Sequence, residues 1–385
     1  MGYEPTSIES SHPGLRVAKE ASMNLRRPRP CLVLAAAALI IDSVHYVDSF
    51  SPSPTLPPAR HICCGRRHRP AQHVELRASN ANEGFIEVPR HRRSSDGLTE
   101  MSTHRLSYRV VRPMALSSRQ AAPILALHGG PSIDSSYLYH LEDVVEPVRS
   151  IVFYDQLGCG RSDEPKDVSL YSIEDSVRDL KALLKKLGVR RFHLYGQSYG
   201  GILAFEYMKS VAMESSTDDA GGSSDVECEC LSAILSSAPT NIAELEKDFV
   251  RLYEELSQPD AEGSANVSDA ELDELFRKNH QCRLTEMPAV LQEAYDNAGT
   301  VWSGIDAIAE YVARPPPEGA ARMPSTLIMR GAHDFVSEAS VNGWKDAFNT
   351  PCLRFKTLEG CSHHGLFEKG SLYGGIVDSY FGNTT

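Results

Sequence analysis

Residues 192–201, Phe-His-Leu-Tyr-Gly-Gln-Ser-Tyr-Gly-Gly, constrain this chain more than any other stretch. A short apolar strand runs into Gly196-Gln197-Ser198-Tyr199-Gly200 and then into helix-forming residues from Ile202 to Met208. Gly-x-Ser-x-Gly between a strand and a helix is the layout that lifts a serine hydroxyl above the carboxyl edge of a sheet. Glycine suits positions 196 and 200 because a side chain at either would collide with the neighbouring strand or helix of so sharp a turn. A pattern this short also arises by chance around an idle serine, so its meaning depends on what surrounds it.

The surroundings alternate strand and helix. Residues 84–89 and 104–111 alternate apolar and polar side chains, as half-exposed antiparallel strands do. Pro123 to His128 and Ser150 to Tyr154 are continuous apolar runs, as expected of strands buried on both faces. Between them and the 192–201 stretch, Ile173 to Leu187 carries an apolar stripe (Val177, Leu180, Leu183, Leu184, Leu187), with Ser172 suited to the N-cap and Gly188 to the C′ position. Further strands are expected at Leu231–Ser236, Pro324–Arg330 and Cys352–Thr357, and helices at Ser340–Phe348 and Leu372–Tyr380. The polar, acidic, glycine-rich residues 213–225 read as a solvated insertion. From Thr240 to Gly319 the strand pattern gives way to helical stretches: Ala243–Leu256, Ser268–His280 behind a capping box, and Pro288–Asn297. The expected fold is therefore α/β: a mostly parallel central sheet with helices on both faces and a helical lid before the last strands. The expected division is core at 84–239, lid at 240–319 and core again at 320–382.

Residues 1–80 have a different character, rich in Ser, Pro, Arg and His without sustained periodicity. Basic Met23 to Arg29 precedes the apolar run Cys31 to Ile41, which is too short to span a bilayer comfortably and has the shape of a signal-peptide core. An Arg-rich, acid-poor tract follows to Arg77, and the combination resembles the two-part leaders of plastid proteins. A targeting leader into an organelle or the secretory route is expected, the alternatives being a membrane-anchoring or simply disordered leader, or a cytoplasmic protein. No stable membrane insertion of the body is expected. The net charge of −12 is concentrated in the acidic body, which argues against nucleic acid as a partner. The 9 cysteines are too few and scattered for a disulfide scaffold, and neither Cys63-Cys64 nor Cys228-x-Cys230 has a matching second pair for zinc. No metal or cofactor is expected. Oligomeric state leaves no trace in the sequence.

A nucleophilic Ser198 needs a base, an acid to orient that base, and donors for an oxyanion. The strand–Gly-x-Ser-x-Gly–helix turn resembles that of the α/β-hydrolases, a resemblance that implies an acid and then a base following the serine in chain order, each at a strand's carboxyl end. The two places to look hold Gly331-Ala332-His333-Asp334 and Leu358-Glu359-Gly360-Cys361-Ser362-His363-His364-Gly365, the right residue types in the right order. Asp334 and one of His363 or His364 thus complete a candidate triad with Ser198.

Four stretches together carry a resemblance: His128-Gly129-Gly130-Pro131, Asp155-Gln156-Leu157-Gly158-Cys159-Gly160-Arg161-Ser162, Gly196 to Gly201, and Cys361-Ser362-His363 followed by Glu368. Over roughly residues 84–382 the chain resembles the α/β-hydrolase superfamily, and within it the proline iminopeptidase (prolyl aminopeptidase) branch of serine peptidases. The resemblance implies that His363, directly after Cys-Ser, is the base and His364 a bystander. It implies an oxyanion site made by the backbone N–H groups of Gly130 and Tyr199, with Gly129 lining the substrate site. The family binds the substrate's free amine with carboxylates, one of them directly after the catalytic Asp and another in the lid. Here Phe335 follows Asp334, and Asp306 is the nearest stand-in for the lid acid, while Glu244 is placed to cap a helix after Asn241. Two enzymatic readings stay open. One is an aminopeptidase removing N-terminal residues such as proline from small peptides through an acyl-enzyme. The other is an esterase or amidase acting on a neutral small molecule. A non-catalytic, ligand-binding hydrolase fold is the third.

Overall fold

The computed structural model describes residues 81–93, 99–111, 121–215, 228–258, 267–351 and 353–383. The leader expected over residues 1–80 lies outside them, as do residues 216–225 of the acidic insertion. Among the described residues no helix is long and apolar enough to cross a membrane.

Eight strands form one sheet: β1 (Ala81–Arg93), β2 (Thr99–Val111), β3 (Ala121–Leu127), β4 (Arg149–Tyr154), β5 (Arg191–Gln197), β6 (Glu229–Ser236), β7 (Ser325–Gly331) and β8 (Leu353–Leu358). Their order across the sheet is β1-β2-β4-β3-β5-β6-β7-β8. β1 and β2 pair antiparallel, as does β2 with β4, and every other pairing is parallel. The two-residue periodicity of β1 explains its place at the edge: Ile86, Val88 and Arg90 are buried while Phe85, Glu87 and Pro89 are exposed.

The inner strands are covered on both faces, and their alternate side chains feed two separate cores. Leu125 and Leu127 of β3, with Phe192 and Leu194 of β5, enter one core. Ile124, Ala126 and Tyr195 enter the other. Against the first core lie helix α1 (Ile173–Leu187) and helix α2 (Tyr199–Glu214). The second is closed by the chain's last helix, which supplies Tyr373, Val377, Tyr380 and Phe381. Helix α1 begins and ends where its caps dictate. The Ser172 hydroxyl accepts from the Asp175 N–H, and Gly188 takes the left-handed conformation at φ +65° that glycine adopts without penalty.

After β6 the chain leaves the sheet and runs through α3 (Ile242–Leu256), α4 (Asp269–Phe276) and α5 (Ala289–Asp296) before returning to β7. Both ends of this excursion are fastened together. Asn241 and Val312 form an isolated antiparallel bridge, and Ala313 N–H donates to the Thr240 carbonyl at 2.7 Å. The capping box at Ser268 and Glu271 forms in full, and the Asn241 side chain accepts from Glu244 N–H. The last long helix, α6, spans Gly370–Gly382.

Several boundaries depart from the sequence expectation, three of them for reasons the fold makes plain. Helix α2 starts at Tyr199 rather than Ile202, because the turn passes straight from Ser198 into helix. The helix expected over 268–280 is α4 followed by a π-helical turn at Arg277–Gln281. The helix expected over 340–348 is two short ones, Glu338–Asn342 and Trp344–Ala347, joined at Gly343. A Cβ at Gly343 would lie 2.4 Å from Thr240 Oγ1, so that glycine serves a close approach between two segments about a hundred residues apart.

Candidate active site

The site sits where the sheet reverses its direction of winding. The chain steps from β3 to β4 on one side and returns to β5 on the other, so β3 and β5 are neighbours whose outgoing connections part. Such a switch point leaves a crevice beyond the carboxyl ends of the strands. Residues 128–131 leave β3 there, and Ser198 leaves β5 there.

Ser198 is held at φ +55°, ψ −122°, a conformation that L-residues seldom adopt. Packing enforces it. A Cβ on Gly196 would lie 2.2 Å from the Gly200 carbonyl oxygen, and one on Gly200 would lie 2.1 Å from the Leu127 carbonyl oxygen. Ser198 N–H donates to the Ser236 carbonyl at 2.8 Å, tying the turn to β6, and the side chain is half-buried. Tyr199 occupies the first position of α2, where its N–H has no carbonyl of its own helix to bond.

The loop after β3 packs directly on this turn. Gly129 has its α-carbon face against the elbow, since a Cβ there would lie 2.7 Å from Gln197 Oε1 and 3.1 Å from Ser198 Cβ. Its N–H donates to the Tyr137 hydroxyl at 2.8 Å. Gly130 follows at φ +118°, and among the described residues its N–H has no hydrogen-bond acceptor. The Asp155–Ser162 stretch holds the loop from below. Gln156 N–H donates to His128 Nε2 at 3.0 Å, and Gln156 Nε2 donates to the His128 carbonyl. His128 is left to donate from Nδ1 to the Gly129 carbonyl at 2.9 Å, and burial holds its pKa below the usual value. Asp155 accepts from Ser135 N–H, Ser135 Oγ and Arg161 N–H.

Asp334 and His363 meet. His363 Nδ1 and Asp334 Oδ1 are 2.9 Å apart, and the carboxylate side chain is fully buried. Asp334 Oδ1 also accepts from Val336 N–H at 2.9 Å. The loops after β7 and β8 are laced together, with His333 N–H donating to the Cys361 carbonyl. Glu368 accepts from Ser362 N–H and from Arg283 N–H, which accounts for a glutamate five positions after the histidine. Ser237 Oγ reaches the His363 carbonyl at 3.4 Å, one residue on from the carbonyl that receives Ser198 N–H. Among the described residues no hydrogen bond joins Ser198 to His363, a contact that in ligand-free enzymes is often long and tightens when substrate binds.

His364 is buried elsewhere. Its Nε2 lies 2.7 Å from the Tyr295 hydroxyl, and burial, with His363 beside it, keeps it well below the usual histidine pKa. His333 is exposed. Phe335 stacks on the His363 ring with centroids 3.9 Å apart, backed by Phe249 at 4.9 Å and Phe276 at 6.0 Å from α3 and α4. Asp306 is exposed on a short turn, and its carboxylate has no hydrogen bond or ion pair among the described residues. Glu244 pairs with Lys247.

Several neighbours of the site carry no sequence signal. Residues 299–304 dock on the loop after β3: Gly299 N–H donates to the Ser132 carbonyl at 3.0 Å, Gly304 N–H to the Pro131 carbonyl at 3.2 Å, and Ser132 and Ser303 hydroxyls meet at 2.8 Å. Trp302, between them, meets Tyr199 edge-on at 5.7 Å. None of these contacts follows a periodicity or a cap, so only the folded chain reveals them.

Residues 122–370 match the family model described as alpha/beta hydrolase fold. The chain is 34% identical over 276 residues to the proline iminopeptidase of Lactobacillus crispatus strain ST1, covering 66% of this chain and 88% of that protein. It is 29% identical over 278 residues to the proline iminopeptidase of Lactobacillus helveticus strain DPC 4571, covering 67% and 89%. The crystal structure of proline iminopeptidase from Mycobacterium smegmatis superimposes with a TM-score of 0.60 at 19% identity, covering 77% of this chain and 98% of that one, a likeness of fold. The chain is a hydrolase that belongs to the α/β-hydrolase fold family, in its proline iminopeptidase branch.

Proposed function

We propose that the protein is a serine peptidase that removes N-terminal residues, proline among them, from small peptides through an acyl-enzyme. The observation that carries this reading is the buried Asp334–His363 pair, 2.9 Å apart, beside a serine in an enforced, high-energy turn at the same sheet edge. His363 Nε2 takes the proton of Ser198 Oγ as that oxygen bonds to the scissile carbonyl carbon. The carbonyl oxygen becomes an oxyanion facing the N–H groups of Gly130 and Tyr199, each such donor being worth about 10²–10³ in rate. Collapse breaks the C–N bond, and the proton on His363 goes to the departing amine. Water, deprotonated by His363, then attacks the ester carbon; the C–Oγ bond breaks, Ser198 Oγ takes the proton back from His363, and the free acid leaves. Asp334 holds the imidazole with Nδ1–H toward itself and stabilises its cation. The relatives' names support a peptide substrate.

One observation favours the esterase or amidase reading instead. Phe335 lies flat on His363, at the position where the family resemblance calls for an amine-binding carboxylate. Losing such a charge-assisted hydrogen bond costs about 1.5–3 kcal/mol of substrate binding. The two readings separate on three substrates: proline β-naphthylamide, the same compound with a blocked amine, and a short acyl ester. The peptidase reading expects hydrolysis of the free-amine compound above both others, and equal rates on free and blocked amines would sink it. Ser198→Ala should lose several orders of magnitude in turnover on any of them.

A further inference from the structure

We propose that Tyr137 is a positioning residue of the oxyanion site, its hydroxyl clamping the loop that carries Gly130 to the elbow that carries Ser198 and Tyr199. This rests on the serine-hydrolase reading above and extends it to a side chain outside the triad and the donor pair.

Tyr137 belongs to the 3₁₀ turn Ser135–His140 and is 1% exposed. Its hydroxyl receives the Gly129 N–H at 2.8 Å and reaches Gln197 Oε1 at 2.7 Å. A phenol has a single proton. The Gly129 amide can only donate, so that proton is committed to the Gln197 oxygen. Burial raises the Tyr137 pKa well above the usual tyrosine value, so the proton stays in place across the range in which an enzyme works.

The sequence positions matter. Gly129 immediately precedes one oxyanion donor, and Gln197 immediately precedes the nucleophile. The β3–β5 register stops at Leu127↔Gly196, short of both. Beyond that point the Tyr137 hydroxyl bridges the two segments. The absence of a side chain at Gly129 lets them abut closely enough for one hydroxyl to span them. The same bond occupies the Gly129 N–H and leaves the next amide, Gly130, to point elsewhere. The turn bearing Tyr137 is itself fixed, with Asp134 accepting from Ser136 N–H and Asp155 holding Ser135. Two oxyanion donors act together only if their separation is set before substrate arrives, and a misplacement of about 1 Å can cost about 10²-fold.

The test uses the full chain, with p-nitrophenyl acetate as a substrate that does not depend on amine recognition. Phenylboronic acid serves as the probe that turns tetrahedral on the serine. Tyr137→Phe keeps the ring and removes the hydroxyl. Its kcat should fall about 10–100-fold, with KM within about twofold and the phenylboronate Ki rising by the same factor as kcat falls. Gln197→Met cuts the same bond from the other side and guards against a Tyr137→Phe that fails to fold. It should reproduce the pattern, and the double variant should be no worse than either single. A general loosening of the fold would instead raise KM and lower Tm without a matched change in boronate affinity, and that result overturns the assignment. So does a Tyr137→Phe enzyme with kcat within about twofold of wild type while Ser198→Ala is inert. Wild-type turnover by Ser198→Ala refutes the serine-hydrolase reading and the role of Tyr137 with it.

Discussion

In the proposed mechanism, replacing Asp334 by asparagine separates two jobs that one carboxylate does for His363. Asp334 Oδ1 receives two donors, His363 Nδ1–H and Val336 N–H, each at 2.9 Å. Oδ2 is buried and has no partner among the described residues. An amide at this position must present its oxygen to both donors, which sends its NH2 group to the empty Oδ2 side. The histidine tautomer therefore survives in Asp334→Asn, and what disappears is the negative charge beside the imidazolium formed during attack. For charges about 4 Å apart at an effective dielectric of about 20 the loss is about 4 kcal/mol, or about 10³-fold in kcat. The opposite orientation would turn the tautomer around, and serine proteases altered in that way lose about 10⁴-fold. Steady-state kcat and KM on the best of the three substrates, with the Nδ1–H proton followed by NMR, tell the cases apart. The buried, unpartnered NH2 should also cost about 1–3 kcal/mol of stability, visible as a lower urea midpoint. A variant whose kcat stays within about tenfold of wild type, or whose loss falls only on KM, refutes Asp334 as the counter-ion of the base.

Other substitutions test the remaining assignments. His363→Gln should lose about 10³-fold or more in kcat while His364→Gln, which breaks the bond to Tyr295, stays within about tenfold; reversed losses in stopped-assay turnover would exchange the two roles. Gly200→Ala would drive a Cβ to 2.1 Å from the Leu127 carbonyl oxygen, so it should cost more than about 4 kcal/mol and fail to give soluble folded protein by circular dichroism. His193 is fully buried, with Nδ1 on Ser232 Oγ at 2.9 Å and its ring on Phe381, and burial together with Arg149 and Arg191 pushes its pKa down to about 4. A depressed histidine means that the unfolded chain takes up a proton which the folded chain refuses. Stability is therefore fullest above pH about 6.5 and falls as the pH drops from there to about 4, by up to about 3 kcal/mol from this group. Urea titrations across that window should show the slope, and His193→Gln should reduce it; an unchanged slope would refute the assignment.

What could be read from the sequence follows how local each determinant is. Helix α1 was legible to the residue because its ends are set by Ser172 and Gly188, whose caps act within one turn. The buried strands were legible because both of their faces are covered, and that makes them continuously apolar. The strand order was not, since β3 lies between β4 and β5 for reasons of packing that no single strand encodes. The break at Gly343 was equally hidden, because its cause is Thr240. In the candidate site, Ser198, Asp334 and His363 stand out in the sequence because each follows a recognisable strand, and the fold brings Asp334 and His363 within 2.9 Å. The sequence favours His363 over His364 only through the family resemblance carried by Cys361, Ser362 and Glu368; in the fold Glu368 holds that loop, His363 meets Asp334 and His364 meets Tyr295. Tyr137 is sixty positions from Gln197 and eight from Gly129, and nothing in its own neighbourhood marks it.

The same contrast separates the chemistry from the specificity. The proposed triad Ser198, Asp334 and His363 and the proposed amide donors Gly130 and Tyr199 lie just beyond the carboxyl ends of strands of a single sheet. The surfaces around them come from the loop after β7 and from the excursion between β6 and β7, which is held by side-chain contacts and isolated backbone bonds rather than by a ladder. On one side, Phe335 on His363 is continued by Phe249 and Phe276, with Tyr253 stacked on Phe276 at 4.5 Å. On the other, Trp302 stands edge-on to Tyr199, carried by a segment whose backbone bonds to Pro131 and Ser132. Phe335 is thus held between His363 and Phe249, and Trp302 is stacked on Tyr171 at 6.0 Å. The two proposed readings would bring different groups to this site, a prolyl ring or the body of a neutral ester. The ammonium of a free N-terminus is what tells the two apart, and it would have to find its carboxylate farther out than Phe335. If the proposed mechanism holds, selection among substrates rests on the excursion and catalysis on the sheet, so changes in α3, α4 or Trp302 should alter which carbonyl is attacked far more than how it is attacked.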